Sequence, residues 1–373
     1  MKFCIISHVV HSKEGNSIWA YGPYVREMNL WENYVDELVI VAPLDKKRPP
    51  TEIDLAYISK KIRFIEVVPF NLSRKMEILR TLMNMPIVLL RIFQGMCRSD
   101  HIHLRSPGNM GLLGALVQIF FPFKKKTAKY AGNWDWSSKQ PWSYRLQQRI
   151  LRNTFFTRNM QVLVYGDWNE TKNIKPFFTA SYSEKEIVET IPRKLDSLQP
   201  IKLIFVGGLN EGKRPKLSLE VSLKLQRQGI QNEIHFYGDG IQRNELQEFI
   251  GKNQMEEYAY LHGNVSAEVV KQAYQRSHFL VFISKSEGWP KAVAEAMFWG
   301  CLPLTSAVSC VPEMIGFGER GDLVEADVDV IIEIIKNYMK QPEGYSSKCI
   351  KAMEWSRQFT LEKFEEEIKE LIV

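Results

Sequence analysis

"FLVFISKSEGWPKAVAEAMFWGCLPLTS", residues 279–306, opens on a short apolar run, crosses a loop, enters a helical stretch and returns to an apolar run, "LPLT". Pro290 suits the first helical position, where its missing N–H is no loss, and Gly300 suits a helix stop. The spacing therefore predicts a strand, a loop, a helix of about ten residues and a second strand. Such a unit is the crossover that joins parallel neighbours, which sets the fold class as α/β. The helix also raises a chemical question. Ala292, Val293, Ala294, Ala296, Met297, Phe298 and Trp299 surround Glu295. Its carboxylate, about one and a half turns in, has no polar face to join and needs hydrogen-bond donors.

The same alternation runs through the chain twice. "KFCIISHV", "ELVIVAP", "IRFIEVV", "HIHL", "KYAG" and "VLVY" are separated by helical patterns in the first half, and "IKLIFVGG", "EIHFYG", "AYLHG", "FLVFIS" and "LPLTS" in the second. Each set predicts a doubly wound parallel sheet. Between them "SEKEIVETIPRKLDSLQP" is polar and broken by Pro192 and Pro200. The expected organisation is a Rossmann-like domain over 1–185, a linker over 186–200 and a second Rossmann-like domain over 201–373, whose last helix can pack back on the first domain. Two such domains facing one another leave a cleft at the carboxyl ends of their strands.

At 373 residues, 45% hydrophobic and 25% charged, the chain is long enough for two cores. Five cysteines without a C-x-x-C pair fit a reducing, cytoplasmic setting and not a zinc or disulfide framework. The start "MKFCIISHVV" reads as a first strand, and no apolar run is long enough to cross a membrane. Residues 1–200 carry 29 Lys+Arg against 18 Asp+Glu, whereas residues 201–373 carry 20 against 25. The basic half, with "FKKK" at Phe123–Lys126, either faces an anionic membrane peripherally or is solvated surface. No nucleic-acid-binding signature accompanies it.

Three further stretches follow predicted strands and so fall at the same sheet edge as Glu287. "FVGGLNEGKRP" offers Gly207, Gly208, then Lys213 and Arg214 in reach of an anion. "FYGDG" offers Gly238 and Gly240, which permit close backbone approach to a ligand. "LHGNVSAEVV" offers Asn264 and Val265 before a helix start at Ser266. Taken singly, each is also ordinary turn chemistry.

In this order, and with Glu287 and Glu295 spaced E-x7-E, these stretches and "CVPEMI" resemble the carboxyl-terminal domain of the retaining GT-B glycosyltransferases of family 4, the glycosyl transferases group 1. The resemblance covers residues 200 to 370 well. In the first half it rests on the opening strand, Gly15 and "DHIH" at Asp100–His103. It implies that Glu295 accepts hydrogen bonds from the ribose of a nucleotide sugar and that Glu287 orients hydroxyls of the transferred sugar. The backbone of Gly288, Trp289, Pro290 and Lys291 would face the diphosphate with the helix's positive end.

Such enzymes commonly keep the anomeric configuration by a front-face path without a metal, so the resemblance implies neither cofactor nor metal. The chain's D-x-D, "DVDV" at Asp327–Val330, reads as a helix start. Two departures follow. Gly208 stands where the family usually has Arg, leaving the positive charge to Lys213 or Arg214. Gly132 or Asn133 stands where it often has a histidine near the sugar, with His103 and Arg105 on the preceding strand as substitutes. The expected activity is sugar transfer from a nucleotide sugar to a saccharide or lipid-linked acceptor in surface polysaccharide or glycolipid assembly. The alternatives are a non-catalytic nucleotide-sugar-binding protein and a GT-B epimerase or hydrolase.

Overall fold

In the computed structural model the described residues are 1–51, 53–69, 75–168, 171–195 and 199–372, with backbone alone for 75–82. The chain divides into two compact units, Met1–Phe178 with Phe364–Val373, and Thr179–Lys363.

The first unit is built on seven strands: β1 (Lys2–Ile6), β2 (Glu37–Pro43), β3 (Ile62–Val67), β4 (His101–Ser106), β5 (Lys125–Tyr130), β6 (Met160–Tyr165) and β7 (Ile174–Phe177). They lie in the order β7-β6-β5-β4-β1-β2-β3, every neighbouring pair parallel. In β2 every residue from Leu38 to Pro43 is buried, as a strand covered on both faces requires. The second unit has β8 (Ile201–Val206), β9 (Asn232–Tyr237), β10 (Ala259–Gly263), β11 (Phe279–Phe282), β12 (Leu302–Thr305) and β13 (Asp322–Leu323). Their order is β10-β9-β8-β11-β12-β13, again all parallel. Each sheet reverses its winding beside its first strand. In such sheets ligands sit outside the carboxyl ends at that reversal, which here means after β1 and β4, and after β8 and β11.

The boundary falls earlier than residue 185 because residues from Thr179 on, and the segment read as linker after them, belong to the second unit. Ser181 donates to Glu295 at 2.6 Å, and Arg193 donates to the Ser277 carbonyl at 2.5 Å. Residues from Phe364 onward belong to the first unit, where the fully buried Lys129 ammonium lies 5.2 Å over the Phe177 ring and 4.6 Å over that of Phe364.

One helix runs Lys75–Cys97 with Pro86 inside it. Two expectations about helices need correction. Pro290 has an extended ψ of 93° and stands as the N-cap, so the helix is Lys291–Phe298, two residues shorter than expected. Ser266 occupies its N-cap position without a side-chain cap bond. Asp327 does cap the Val328–Lys340 helix, accepting from the Asp329 and Val330 amides at 2.8 and 3.4 Å.

Gly15 lies at the tip of a hairpin between the strands Ser12–Glu14 and Ser17–Tyr21, with φ +58°. A two-residue turn that begins with positive φ accounts for a glycine there. No neighbour approaches the place a Cβ would take.

A titration is also built into the first unit. Glu32 is buried on the Gly22–Glu32 helix and accepts the Ser59 amide at 2.7 Å. Burial pushes its carboxyl up to about 7, against the pull of the amides around it. A folded-state pKa above the unfolded one gives stability that is complete below the ordinary carboxylate range and is lost as pH rises through 7. Glu32→Gln is therefore expected to stabilise the protein by about 1–2 kcal/mol at pH 8 relative to pH 5. Melting temperatures of both proteins at the two pH values check this. An offset that does not change with pH contradicts it.

Candidate functional site

At the reversal of the second sheet, three loops are laced into one floor by their own backbones. Gly207 donates to Tyr237 at 2.9 Å, Leu209 to Asp239 at 3.0 Å, Gln242 to Leu209 at 3.0 Å and Gly238 to Gly263 at 2.8 Å. The lacing explains two of the glycines. A Cβ on Gly238, where φ is +130°, would sit 2.1 Å from the Gly207 carbonyl oxygen, and one on Gly240 would sit 2.4 Å from that of Leu209. These positions are glycine because the chain approaches itself. At Gly208 the nearest atom to a Cβ would be the end of the Asn210 side chain, at 3.1 Å, with the Asp239 carbonyl oxygen at 3.9 Å.

A turn rises from this floor. Asn210 Oδ1 accepts the amides of Gly212 and Lys213 at 3.0 and 3.2 Å, an Asx turn that fixes where Lys213 leaves the backbone. The Gly212 carbonyl in turn accepts the Lys285 amide at 2.7 Å and Ser284 Oγ at 3.2 Å, tying the turn to the loop after β11. Ser306 Oγ, following β12, donates to the Ser284 carbonyl at 2.6 Å, and Cys310 Sγ to that of Gly288 at 3.2 Å.

Lys213 and Glu287, 74 residues apart, meet here as an ion pair. The Lys213 ammonium also lies 4.8 Å over the Phe282 ring. The Glu287 side chain is 8% exposed and that of Lys213 26%, so the pair opens to solvent from the lysine side. Arg214, next in line, is held left-handed at φ +49° and caps the Pro215–Arg227 helix without a side-chain bond. Arg214 brings a second cation to the same turn as Lys213. No side chain caps the Lys291–Phe298 helix; the Pro290 carbonyl accepts the Val293 and Ala294 amides at 3.0 and 3.3 Å.

Glu295 has the donors its sequence context demands, and they come from its own unit. Besides Ser181, Tyr274 donates to its Oε2 at 3.4 Å. Burial, with the Glu295 charge beside it, pushes the Tyr274 phenol well up and keeps it a donor. Trp289 is half-buried, its ring stacked 6.2 Å from Trp355 and edge-on to Phe359 at 5.5 Å. Asn264 and Val265 are exposed after β10.

The first-unit candidates divide. His103 pairs with Ile5 inside the sheet and is fully buried, its ring 4.7 Å from Trp31 and its Nδ1 2.8 Å from Thr127 Oγ1. Burial holds its pKa well below the usual histidine range. It is a core residue and not a substrate contact. Arg105 is paired with Glu27 at 2.6 Å, and Glu27 also meets Lys129 at 2.9 Å. Asn133 follows β5, its side-chain oxygen accepting the Asp135 amide at 2.8 Å in an Asx turn. Close by in sequence, Lys139, Gln140, Pro141, Trp142 and Arg145 line an open depression of about 410 Å³.

Sequence reading missed Asn210, Ser284, Ser306, Ser181 and His8. Asn-x-Gly is a turn signal and could have shown the first. His8 stands exposed at the carboxyl end of β1, its Nδ1 3.2 Å from where a Cβ on Gly108 would lie.

Residues 188–354 match the family described as Glycosyl transferases group 1. No curated protein matches the chain in sequence. Sucrose-phosphate synthase from Thermosynechococcus elongatus aligns with a TM-score of 0.69 at 15% identity, over 99% of this chain and 98% of that one. The fold is GT-B. A second GT-B match, Anabaena HepE in complex with UDP and glucose, has a TM-score of 0.69 at 14% identity over 99% and 98%. TarM gives 0.58 at 15% identity over 76% of this chain, which spans only 58% of TarM.

Proposed function

We propose that this GT-B chain is a retaining glycosyltransferase that moves a sugar from a nucleotide-sugar donor to a saccharide or lipid-linked acceptor, without a metal, in surface polysaccharide or glycolipid assembly. The observation that carries the reading is the Lys213–Glu287 pair, standing on the laced glycine floor at the reversal of the second sheet. A diphosphate leaving group develops negative charge as the C1–O bond breaks, and preorganised cations and amides stabilise it. Lys213, Arg214 and the start of the Lys291–Phe298 helix supply these. In this reading Glu287 orients sugar hydroxyls once phosphate takes up the lysine. The acceptor hydroxyl bonds to C1 on the face the phosphate leaves, and its proton passes to the departing phosphate oxygen. HepE's complex with UDP and glucose supports a nucleoside diphosphate hexose as donor. The Trp142 depression in the first unit supports a saccharide acceptor, because an exposed indole stacks on pyranose faces.

Incubation with nucleotide sugars, with and without acceptor saccharides, tests the reading by NMR of the product. Acceptor-dependent product with the donor's anomeric configuration supports it. Free sugar released equally without acceptor assigns the site to hydrolysis, an epimerised nucleotide sugar to epimerisation, and bound but unchanged donor to a binding protein.

Glu295 is assigned to the ribose. Glu295→Ala is expected to weaken donor binding by about 1–3 kcal/mol, the worth of one or two charge-assisted hydrogen bonds. It is also expected to lower stability by about 1–2 kcal/mol, since the buried Tyr274 hydroxyl loses its acceptor. Calorimetry and thermal melts read the two separately. A stability loss with unchanged donor affinity makes Glu295 a structural residue.

A further inference from the structure

The loop that follows β5 and the helix it leads into, Trp142–Arg152, form the walls of the first unit's depression. Gln140 braces the loop. Its Nε2 donates to the Asn133 and Asp135 carbonyls at 2.9 and 3.0 Å and to Ser138 Oγ at 2.8 Å, and its Oε1 accepts the Tyr130 hydroxyl at 3.2 Å. From the helix side the buried Gln148 donates to the Asn133 and Trp134 carbonyls at 3.3 and 3.2 Å. Held in this way, the loop presents Lys139 and Pro141 to solvent beside Trp142, which is 74% exposed.

Trp142 and Arg145 stand at i and i+3 of the helix and so share one face. Arg145 is also the first of three arginines at i, i+4 and i+7, followed by Arg149 and Arg152. Like charges at that spacing work against a helix, so the stripe does not serve the fold by its charge. Arg149 and Arg152 have packing to do, their guanidiniums 5.7 and 4.6 Å over the Trp136 ring. Arg145 and Lys139 do not. Both are exposed, and among the described residues neither side chain has an ion-pair, hydrogen-bond or ring partner. None of the five lining residues is an acid. Asp135, in the same loop, has its Oδ1 spent on the Ser137 amide and hydroxyl at 2.8 and 2.7 Å, and Asp167, exposed after β6, is not part of the lining. Pro141, which is part of it, is the helix N-cap and brings the positive end of the dipole to the same wall.

We propose that the acceptor taken by this depression is an anionic saccharide, its pyranose ring stacked on Trp142 and its carboxylate or phosphate substituent held by Arg145 and Lys139. A substituent at C6 projects from the rim of the ring. A sugar lying flat on the indole therefore turns it toward the side chains that flank the indole, where a guanidinium fork pairs with it bidentately and an ammonium adds a point charge. A neutral saccharide would use the indole and leave both cations idle. This assignment rests on the depression being the acceptor site, and it makes no use of the donor edge of the second unit.

The test is an NMR titration of the full chain with three sugars that differ only at C6: methyl glucoside, methyl glucuronide and methyl glucoside 6-phosphate. Wild type is compared with Arg145→Gln, Trp142→Ala and Lys213→Met, the last because the second unit also offers cations to an anion. Wild type is expected to bind at least one anionic sugar roughly tenfold more tightly than the neutral one, a preference that falls as salt rises. Which of the two anions binds better decides between an acidic sugar and a phosphorylated one. Arg145→Gln should remove most of the preference and leave the neutral glucoside as it was, whereas Trp142→Ala should weaken all three sugars alike. Lys213→Met should keep the preference. Melting temperatures should hold, since Trp142 and Arg145 are exposed and Arg145→Gln removes a like charge from beside Arg149. Should Arg145→Gln fail to fold, Lys139→Gln carries the test. Equal affinity for neutral and anionic sugars overturns the proposal and leaves the acceptor site standing. A preference lost in Lys213→Met and kept in Arg145→Gln assigns the anion to the second unit and also overturns it. Binding of none of the three overturns it together with the depression's role as acceptor site.

Discussion

Replacing Glu287 with glutamine is expected to lower turnover by roughly 10²-fold, the usual cost of losing the group that holds a reacting sugar in register. Nucleoside diphosphate affinity should stay within about threefold of wild type, because the substitution removes no phosphate contact. The geometry sharpens this expectation. Glutamine keeps the shape of a side chain that is nearly buried and releases Lys213 from its ion pair. If the variant instead binds nucleoside diphosphate as poorly as it turns over, Glu287 works by holding Lys213 in place and not by touching the sugar. Steady-state kinetics beside a calorimetric titration separate these outcomes.

Lys213→Met should be more damaging, at roughly 10²–10³-fold in kcat/KM, the scale of deleting one preorganised donor to a developing anion. It also strips the buried Glu287 carboxylate of its partner, which should lower stability by about 1–3 kcal/mol, less than a fully buried pair because the lysine is partly exposed. Combining Lys213→Met with Glu287→Gln is expected to restore the stability and not the turnover, since the charge left alone is gone but the phosphate contact is still missing. Recovery of both would mean that Lys213 acts only as the counter-ion of Glu287.

Much of this is legible in the sequence. Local periodicity and punctuation, residue by residue, mark the parallel runs, the glycine turns after β8 and β9, and the demand of Glu295 for donors. What the sequence could not show is who meets whom. Ser181 lies 114 residues from the carboxylate it bonds, at the end of the segment read as the first domain, and Arg193, in the polar stretch read as linker, is spent on the Ser277 carbonyl. Polarity alone does not distinguish a solvated segment from one whose hydrogen bonds are spent on a neighbouring surface. His103 misled for a related reason: a strand residue in the middle of a doubly covered sheet is buried whatever its chemistry, and only the register with Ile5 shows that it is in the middle. Gly238 and Gly240 look alike whether a ligand or the chain itself approaches them, and the carbonyls of Gly207 and Leu209 decide between the two. The lysines at 124 and 126 fall in the same class, counted as surface charge in sequence and used as carbonyl donors in the fold.

The central claim is that the Lys213–Glu287 edge of the second unit holds a nucleoside diphosphate sugar. Its most direct test is isothermal titration of UDP-, GDP- and ADP-glucose into wild type and Lys213→Met. Saturable binding of at least one of the three, weakened tenfold or more by the substitution, is the predicted result. Binding of none, or binding indifferent to the loss of Lys213, would contradict it.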